Sequence, residues 1–487
     1  MGEEGGILKN TSLLFIGRVV SLAMKVVYAA ILARYVLAEG VGQLSTASSV
    51  VGIVALLTSF GLPTLLTRDI AAHRDRTGAY VGSALWLVIV LSGLMVLILA
   101  GVILWTPYPA LIIELMWLYA VVYALDALSN ITMATFQAYE RMGYVAALQF
   151  GRDAINVVGS ILGIYLHASL ATLVGVSILA SAAKFVASLF LLDWRLVRLS
   201  MRPVFCVIRQ LLLACVPFAI LAVLLSTDRE INTFILSLHR SSAEVGWFSS
   251  ANMMVNYASI LPNVFLQAIL PVFSRQRSAS EEALRATYQR GFRWLVLLGL
   301  PMGVGLALIA APLVSLLYGP GFEQAGLALM IMTPLVVLMP SYVNGALMLG
   351  AGRQKLFAGL MAATVGLDLL LCLLLVPAWG YVGASVAAVI PRVLLFIPTT
   401  LFCHRQLKLK LPWDAALKAA LGAAAMALVA LAVKASRGNP LFTVLLTAPV
   451  VYVVALTLLS AWTEQELGLM RRVMARFRGL LESWGWR

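Results

Sequence analysis

Apolar runs recur from one end of this chain to the other, and they constrain its fold more than any other feature. About 20 apolar residues are enough to cross a bilayer as a helix. Because lipid offers no hydrogen-bonding partners, each crossing segment must pair its own amide and carbonyl groups. The chain is 62% hydrophobic and 11% charged, whereas soluble domains carry about 25% charged residues. The sequence therefore predicts an all-α polytopic membrane protein.

Fourteen apolar segments are predicted to be transmembrane helices. The first begins close to residue 11, carries several basic residues, and lacks the short apolar core of a cleaved signal peptide. The approximate bounds are 11–36, 44–66, 80–104, 112–138, 144–166, 169–192, 209–238, 245–272, 292–317, 325–350, 355–376, 381–403, 413–434 and 440–461.

The basic residues between these spans predict the orientation of the chain. Each loop is numbered after the span that it follows and is counted with the two nearest residues of each adjoining span. The even loops then hold 18 Lys and Arg residues and the odd loops hold 3. Cytoplasmic loops of membrane proteins are rich in these residues. We therefore expect a multi-pass protein of the cell (inner or plasma) membrane with both termini in the cytoplasm. The net charge of +14 is explained by this placement, so no nucleic-acid partner is expected.

An internal repeat relates the two halves of the chain. A shift of 204 aligns "EGVGQLSTASSV" with "AEVGWFSSANMM" and places Gly42 on Gly246. A shift of 212 aligns "FQAYERMGYVAALQFGRDAINVV" with "LMLGAGRQKLFAGLMAATVGLDLLL". Parallel repeats of this kind are related by an axis along the membrane normal. The predicted parts are a six-helix lobe (1–192), a cytoplasmic linker (193–208), a second six-helix lobe (209–404), two further helices (405–461) and an amphipathic cytoplasmic tail (462–487).

Basic residues inside the spans point to an anionic cargo. The 204 shift superimposes Lys25 on Arg229, so each half contributes one cation near the middle of its first helix. A charge at the bilayer centre costs about 2.5–3.5 kcal/mol on insertion scales and normally faces a cavity or another protein segment. Guanidinium and ammonium groups suit phosphate oxygens. The predicted substrate-binding cations are Lys25, Arg229, Arg18 and Arg34.

Acidic residues inside the spans are candidates for ion coupling. Asp368 stands alone in "VGLDLLLCLLLV", and Asp228 and Glu230 flank Arg229. Intramembrane carboxylates can bind H⁺ or Na⁺ and couple its gradient to transport. Neutralisation of charges on neighbouring helices is the alternative role for these acids. The same two interpretations apply to the remaining intramembrane charges, which are Asp126, Asp153, Arg152, Lys184 and Arg392.

The chain resembles a known family in an ordered series of motifs. These are "GLPTLLTRDIA", "FQAYERMGY", "TDREINTFILSLHRSSAEVGWFSSA", "LYGPGFEQAG", "LGAGRQK" and "VPAWGYVGASVAAVI". They are similar to the polysaccharide-biosynthesis oligosaccharide flippases (Wzx-type, with MurJ-type lipid II flippases as relatives) of the multidrug/oligosaccharidyl-lipid/polysaccharide exporter superfamily. The resemblance implies two six-helix lobes in a V-shaped bundle and an oligosaccharide cargo linked through phosphate or pyrophosphate to a polyprenol. It also implies a cationic central cavity, which agrees with Lys25 and Arg229.

The expected function is a flippase that moves such a cargo from the cytoplasmic to the outer leaflet by alternating access, coupled to H⁺ or Na⁺. We expect a monomer surrounded by membrane lipids, without cofactor, metal or catalytic residues. One alternative is a cation-coupled exporter of drugs or metabolites, which would favour an acidic cavity. Another is a membrane polysaccharide polymerase or ligase, which usually needs a large outer loop. The four cysteines show no metal-ligand spacing.

Overall fold

The computed structural model describes most of the chain. The backbone is described for residues 2–59, 61–196, 204–260, 262, 273, 281–407, 413–435 and 440–461. Within those ranges, the side chains of residues 2–22, 59, 195, 216–222, 224–229, 407, 433–435 and 440–446 are left out of the description. The predicted amphipathic tail at 462–487 lies outside the described residues.

The described residues are helical apart from short turns, and each of the fourteen predicted spans lies wholly or partly on a helix. Seven helical stretches of the described chain are long and apolar enough to cross a membrane, and one further pair passes the same test with a 44° bend. The prediction of an all-α polytopic membrane protein is confirmed. The helices are α1 (Gly2–Ser59), α2 (Leu62–Ala72), α3 (Thr77–Trp105), α4 (Ala110–Ala138), α5 (Met142–Tyr165), α6 (Leu170–Arg195), α7 (Phe205–His239), α8 (Ser242–Ala258), α9 (Glu281–Tyr318), α10 (Glu323–Met332), α11 (Pro334–Val337), α12 (Ser341–Gly350), α13 (Gln354–Leu407), α14 (Trp413–Ala435) and α15 (Pro440–Leu458).

Two of these helices each contain two predicted spans. In α1 the helical geometry breaks at Leu37, with φ 59° and ψ −177°. In α13 it breaks at Gly380, with φ 56° and ψ −132°. Only glycine adopts such angles without strain, and another residue loses about 1–3 kcal/mol there. The breaks fall in the first and eleventh predicted loops, so each long helix is two spans joined by a bend.

A local turn structure repeats with the spacing of the sequence match. Glu140, after α4, has φ 59°, and Gly352, after α12, has φ 69°. The next amides, of Arg141 and Arg353, each donate to the carbonyl five residues earlier at 2.9 Å. This is the geometry of a Schellman turn at a helix C-terminus. The two turns are 212 residues apart, as the second sequence alignment requires.

The first alignment corresponds to a close crossing of α1 and α8. A β-carbon added to Gly42 would lie 1.7 Å from the Ser242 carbonyl oxygen. A β-carbon added to Gly246 would lie 2.0 Å from the Ala38 carbonyl oxygen. Each helix therefore carries a pair of small residues four positions apart, the pattern that lets membrane helices approach closely. The contact is reciprocal between repeat-related positions, as at an interface with two-fold symmetry.

The chain forms two compact units, and the residues that matter for function below lie in the first. In the first unit, two apolar clusters form the core, one around Phe136 and Leu62 and the other around Val51 and Leu115. In the second, the buried Tyr288 hydroxyl donates to Asn344 at 2.7 Å. The lobe boundaries expected from the repeat stay a prediction. Unit one comprises Met1–Met253, Val314–Ala328 and Ala358–Pro391, and unit two comprises Met254–Leu313, Leu329–Phe357 and Arg392–Arg487.

Candidate functional site

Five charged side chains from α1, α4, α5 and α6 meet inside unit one, and we call them the charge network. Lys25 Nζ lies 2.9 Å from Asp153 Oδ2. Arg152 Nη2 lies 3.0 Å from Asp126 Oδ2, and Arg152 Nη1 lies 3.7 Å from Asp153 Oδ1. Lys184 Nζ lies 2.7 Å from Asp126 Oδ1. The network therefore links four helices through alternating cations and carboxylates.

The helix α5 supplies the centre of the network because its polar residues follow the helical repeat. Gln149, Arg152, Asp153 and Asn156 are spaced three or four positions apart and therefore share one face. Gln149 Nε2 donates to Asp153 Oδ1 at 3.2 Å, and Asn156 Nδ2 donates to the Ser177 hydroxyl of α6 at 2.7 Å. This face packs toward other helices, and these polar side chains find partners within the protein, although the buried Arg152 Nε has no hydrogen-bond partner among the described residues.

Burial differs sharply among the members of the network. The Asp153 side chain is 2% exposed and that of Lys184 is 5% exposed, whereas that of Lys25 is 44% exposed. A buried carboxylate keeps its charge only beside cations and hydrogen-bond donors, and Asp153 has both. With three cations and two carboxylates, the network carries one formal positive charge in excess. Lys25 thus has the most exposed side chain in a cluster with a net positive charge.

The structure places the other predicted substrate-binding cations differently. Arg34 donates through Nε to the Leu317 carbonyl oxygen at 3.0 Å and through Nη2 to the Leu316 carbonyl oxygen. It therefore caps the C-terminal end of α9, where a cation interacts favourably with the helix dipole. The side chains of Arg18 and Arg229 lie outside the described residues. The meeting of Lys25 with Arg229 stays a prediction.

The predicted coupling acids lie on α7 and α13. Asp368 is fully buried and accepts a hydrogen bond from Asn232 Nδ2 at 2.9 Å. Cys372 Sγ donates to Asn232 Oδ1 at 2.8 Å. Glu230 lies on α7 two residues before Asn232, and the Asp228 side chain lies outside the described residues. Within the described part of the chain, no three His, Cys, Asp or Glu side chains could hold a metal ion.

Sequence reasoning noted four members of the network without assigning them to the site. Asp126, Arg152, Asp153 and Lys184 were visible only as scattered intramembrane charges. The polar stripe on α5 is the signal that could have identified its two members, because a stripe at helical spacing indicates a polar surface on a membrane helix. Nothing in the spacing along the chain indicated that Asp126 and Lys184 would join them.

The comparisons with known proteins agree with this architecture. A family model described as "Polysaccharide biosynthesis protein" matches residues 7–276, which is more than half of the chain. The chain belongs to the polysaccharide biosynthesis protein family. A proposed O-antigen transporter of Escherichia coli (strain K12) is 31% identical over 154 residues, which make up 31% of this chain and 37% of that relative. The expected family resemblance is confirmed.

Solved structures of transporters have the same fold as this chain. The lipid II flippase MurJ, in an inward closed conformation, superimposes with a TM-score of 0.73 and 14% identity, covering 92% of this chain and 98% of that one. An inward-facing multidrug resistance transporter of the MATE family superimposes with a TM-score of 0.64 and 16% identity, covering 81% of this chain and 98% of that one. The similar proteins are transporters by name, in agreement with the expectation that this chain is not an enzyme.

Proposed function

We propose that this protein is a flippase that moves a polyprenyl-(pyro)phosphate-linked oligosaccharide from the cytoplasmic to the outer leaflet by alternating access. Membership of the polysaccharide biosynthesis family supports the sugar, and the flippase-like fold supports the translocation. The observation that carries the proposal is the charge network, with its excess positive charge and its exposed Lys25. An anionic phosphate is the headgroup chemistry that such a cluster attracts.

The geometry suggests how the headgroup is bound. The Lys25 ammonium carries three donors on a flexible stem, so it can follow a phosphate oxygen without losing its anchor on α1. Lys184 and Arg152, which are paired with Asp126, raise the positive potential around Lys25 without contacting the cargo. Arg229 of the second half is the proposed partner for the second phosphate. The long polyprenol remains in lipid while the charged headgroup crosses.

Ion coupling is proposed to use the acids of the second half. Asp368 is buried beside Asn232 and Cys372, which supply polar groups to the carboxylate. A carboxylate in such a place can take up H⁺ or Na⁺ and release it when the surrounding helices move. Glu230 and Asp228, on the same helix as Asn232, are the further proposed coupling residues.

A drug or metabolite exporter of the same superfamily is the competing proposal. Exporters of organic cations need negative charge where the substrate binds, because like charges repel strongly away from water. The charge network contains three cations and two carboxylates, and its most exposed side chain is that of a lysine. This sign favours an anionic cargo over a cationic drug.

The decisive experiment measures transport in liposomes that contain the purified protein and a fluorescent polyprenyl-pyrophosphate-linked oligosaccharide. Lys25→Gln is expected to lower the initial flipping rate about tenfold or more, because the phosphate loses its ionic contact. Lys25→Arg keeps the charge and should retain most of the rate. Lys355→Gln is the matched control, since Lys355 is exposed in the first turn of α13. Equal rates for Lys25→Gln and wild type would refute the proposed headgroup site.

A further inference from the structure

In the ion pair between Lys25 and Asp153, one side chain is far more exposed than the other. The two groups are 2.9 Å apart, but the lysine side chain is 44% exposed and the aspartate side chain is 2% exposed. A ligand can therefore contact the lysine side chain without contacting the carboxylate. The lysine stem is flexible, whereas Asp153 is fixed on α5 by a hydrogen bond from Gln149. The ammonium group can therefore move toward a ligand, whereas the carboxylate group cannot follow it.

The charged and titratable groups around Asp153 come from four helices. On α5 itself, Arg152 Nη1 lies 3.7 Å from Asp153 Oδ1. Lys25 faces it from α1. Lys184 of α6 interacts with it electrostatically at longer range. Asp126 of α4 is the neighbouring carboxylate, and it is bound to both Arg152 and Lys184. If Lys25 moved away, Asp153 would therefore lose the nearer of the two cations that contact it among the described residues.

We propose that Asp153 is an internal counter-anion that the cargo phosphate displaces from Lys25. This inference rests on the proposed function, because it concerns the same cargo. No covalent bond changes. A phosphate oxygen replaces Asp153 Oδ2 at Lys25 Nζ, and Asp153 keeps Arg152 and Gln149 as neighbours. When the phosphate leaves, the ion pair re-forms.

The exchange makes Asp153 a competitor of the cargo for Lys25. Neutralisation of Asp153 should therefore raise the affinity for the cargo. The competition would hold Lys25 in place in the empty protein and discourage the uptake of ions that bind weakly.

The test is equilibrium binding to the full-length protein in lipid nanodiscs. The probe is N-acetylglucosamine linked through pyrophosphate to a C55 polyprenol. Asp153→Asn is expected to bind the probe about tenfold more tightly than wild type, because the competing carboxylate is gone. Asp153→Glu keeps the carboxylate and should bind the probe as wild type does. Asp126→Asn is the control, because Asp126 pairs with Arg152 and Lys184.

The outcomes separate this inference from the proposed function. Tighter binding by Asp153→Asn alone would support the displacement. Binding of the probe with the same affinity in wild type and Asp153→Asn would overturn the displacement while leaving the cargo intact. An equal gain in affinity for Asp126→Asn would overturn it as well, because the effect would then follow summed charge. No binding by any folded variant would reject the cargo and the displacement together.

Discussion

Asp368 is a buried acidic residue that has no charged neighbour in the sequence, and ion coupling is its proposed role. Its carboxylate is fully buried on α13 and accepts a hydrogen bond from Asn232 of α7. This hydrogen bond joins two helices, so a change in the charge of the carboxylate affects the contact between them. A neutral carboxamide has nearly the same shape but cannot exchange a proton or bind Na⁺ through a negative charge.

Asp368→Asn should uncouple transport from the ion gradient. We expect the flipping rate under an imposed H⁺ or Na⁺ gradient to fall to the rate without a gradient, because the carboxylate no longer gains or loses charge. Asp75→Asn is the control, since the Asp75 side chain is 77% exposed. If transport responded normally after Asp368, Glu230 and Asp228 were neutralised together, the coupling proposal would be wrong.

At the scale of the elements, α1 and α8 are held together by backbone proximity. The reciprocal contacts of Gly42 with Ser242 and of Gly246 with Ala38 leave no room for a side chain. On the same unit, the Tyr108 hydroxyl, just before α4, lies 2.9 Å from the Ser237 hydroxyl of α7. Close packing of small residues is a main source of helix association in lipid, where the hydrophobic effect between helices is absent.

Gly246→Ala should weaken the α1–α8 crossing. The added methyl group would overlap the Ala38 carbonyl oxygen, so the helices must separate, and overpacking of this kind costs about 1–3 kcal/mol. We expect a lower thermal unfolding temperature in detergent. Gly93→Ala of α3 is the matched control, because no atom lies within 4 Å of its added β-carbon. A Gly246→Ala protein as stable as Gly93→Ala would contradict the close crossing.

At the scale of the whole molecule, the distribution of basic residues predicts which helix ends face the cytoplasm. The native Cys206 offers a test because it is exposed at the start of α7, whereas Cys215, Cys372 and Cys403 are buried. The fifth predicted loop should lie on the opposite side. Leu166, which follows α5 and borders that loop, is 67% exposed.

A membrane-impermeant maleimide should label these positions from opposite sides. In intact cells we expect Leu166→Cys, in a Cys206→Ser background, to be labelled and the native Cys206 to remain unlabelled. Disrupted membranes should allow both to react, because the positive-inside rule places the even loops in the cytoplasm. Labelling of Cys206 in intact cells would reverse the proposed topology.

The sequence by itself determined the spans, the family and the two repeat alignments. Backbone groups in lipid must be satisfied within each helix, so long apolar runs specify helices locally. The repeat could also be checked locally, since the turns at Glu140 and Gly352 share one hydrogen-bonding pattern. Orientation depends on how basic residues are distributed along the chain, and that distribution is visible in the sequence alone.

Only the tertiary structure decided which charges meet. The sequence placed Lys25 and Arg34 on one helix as similar cations, but Lys25 pairs with Asp153 and Arg34 caps α9. Asp126 and Lys184 were likewise isolated in sequence and meet at 2.7 Å. The sequence does not show which charges attract each other, because Coulomb attraction depends on the distance between two charges in space and on their burial. Helix packing sets both quantities.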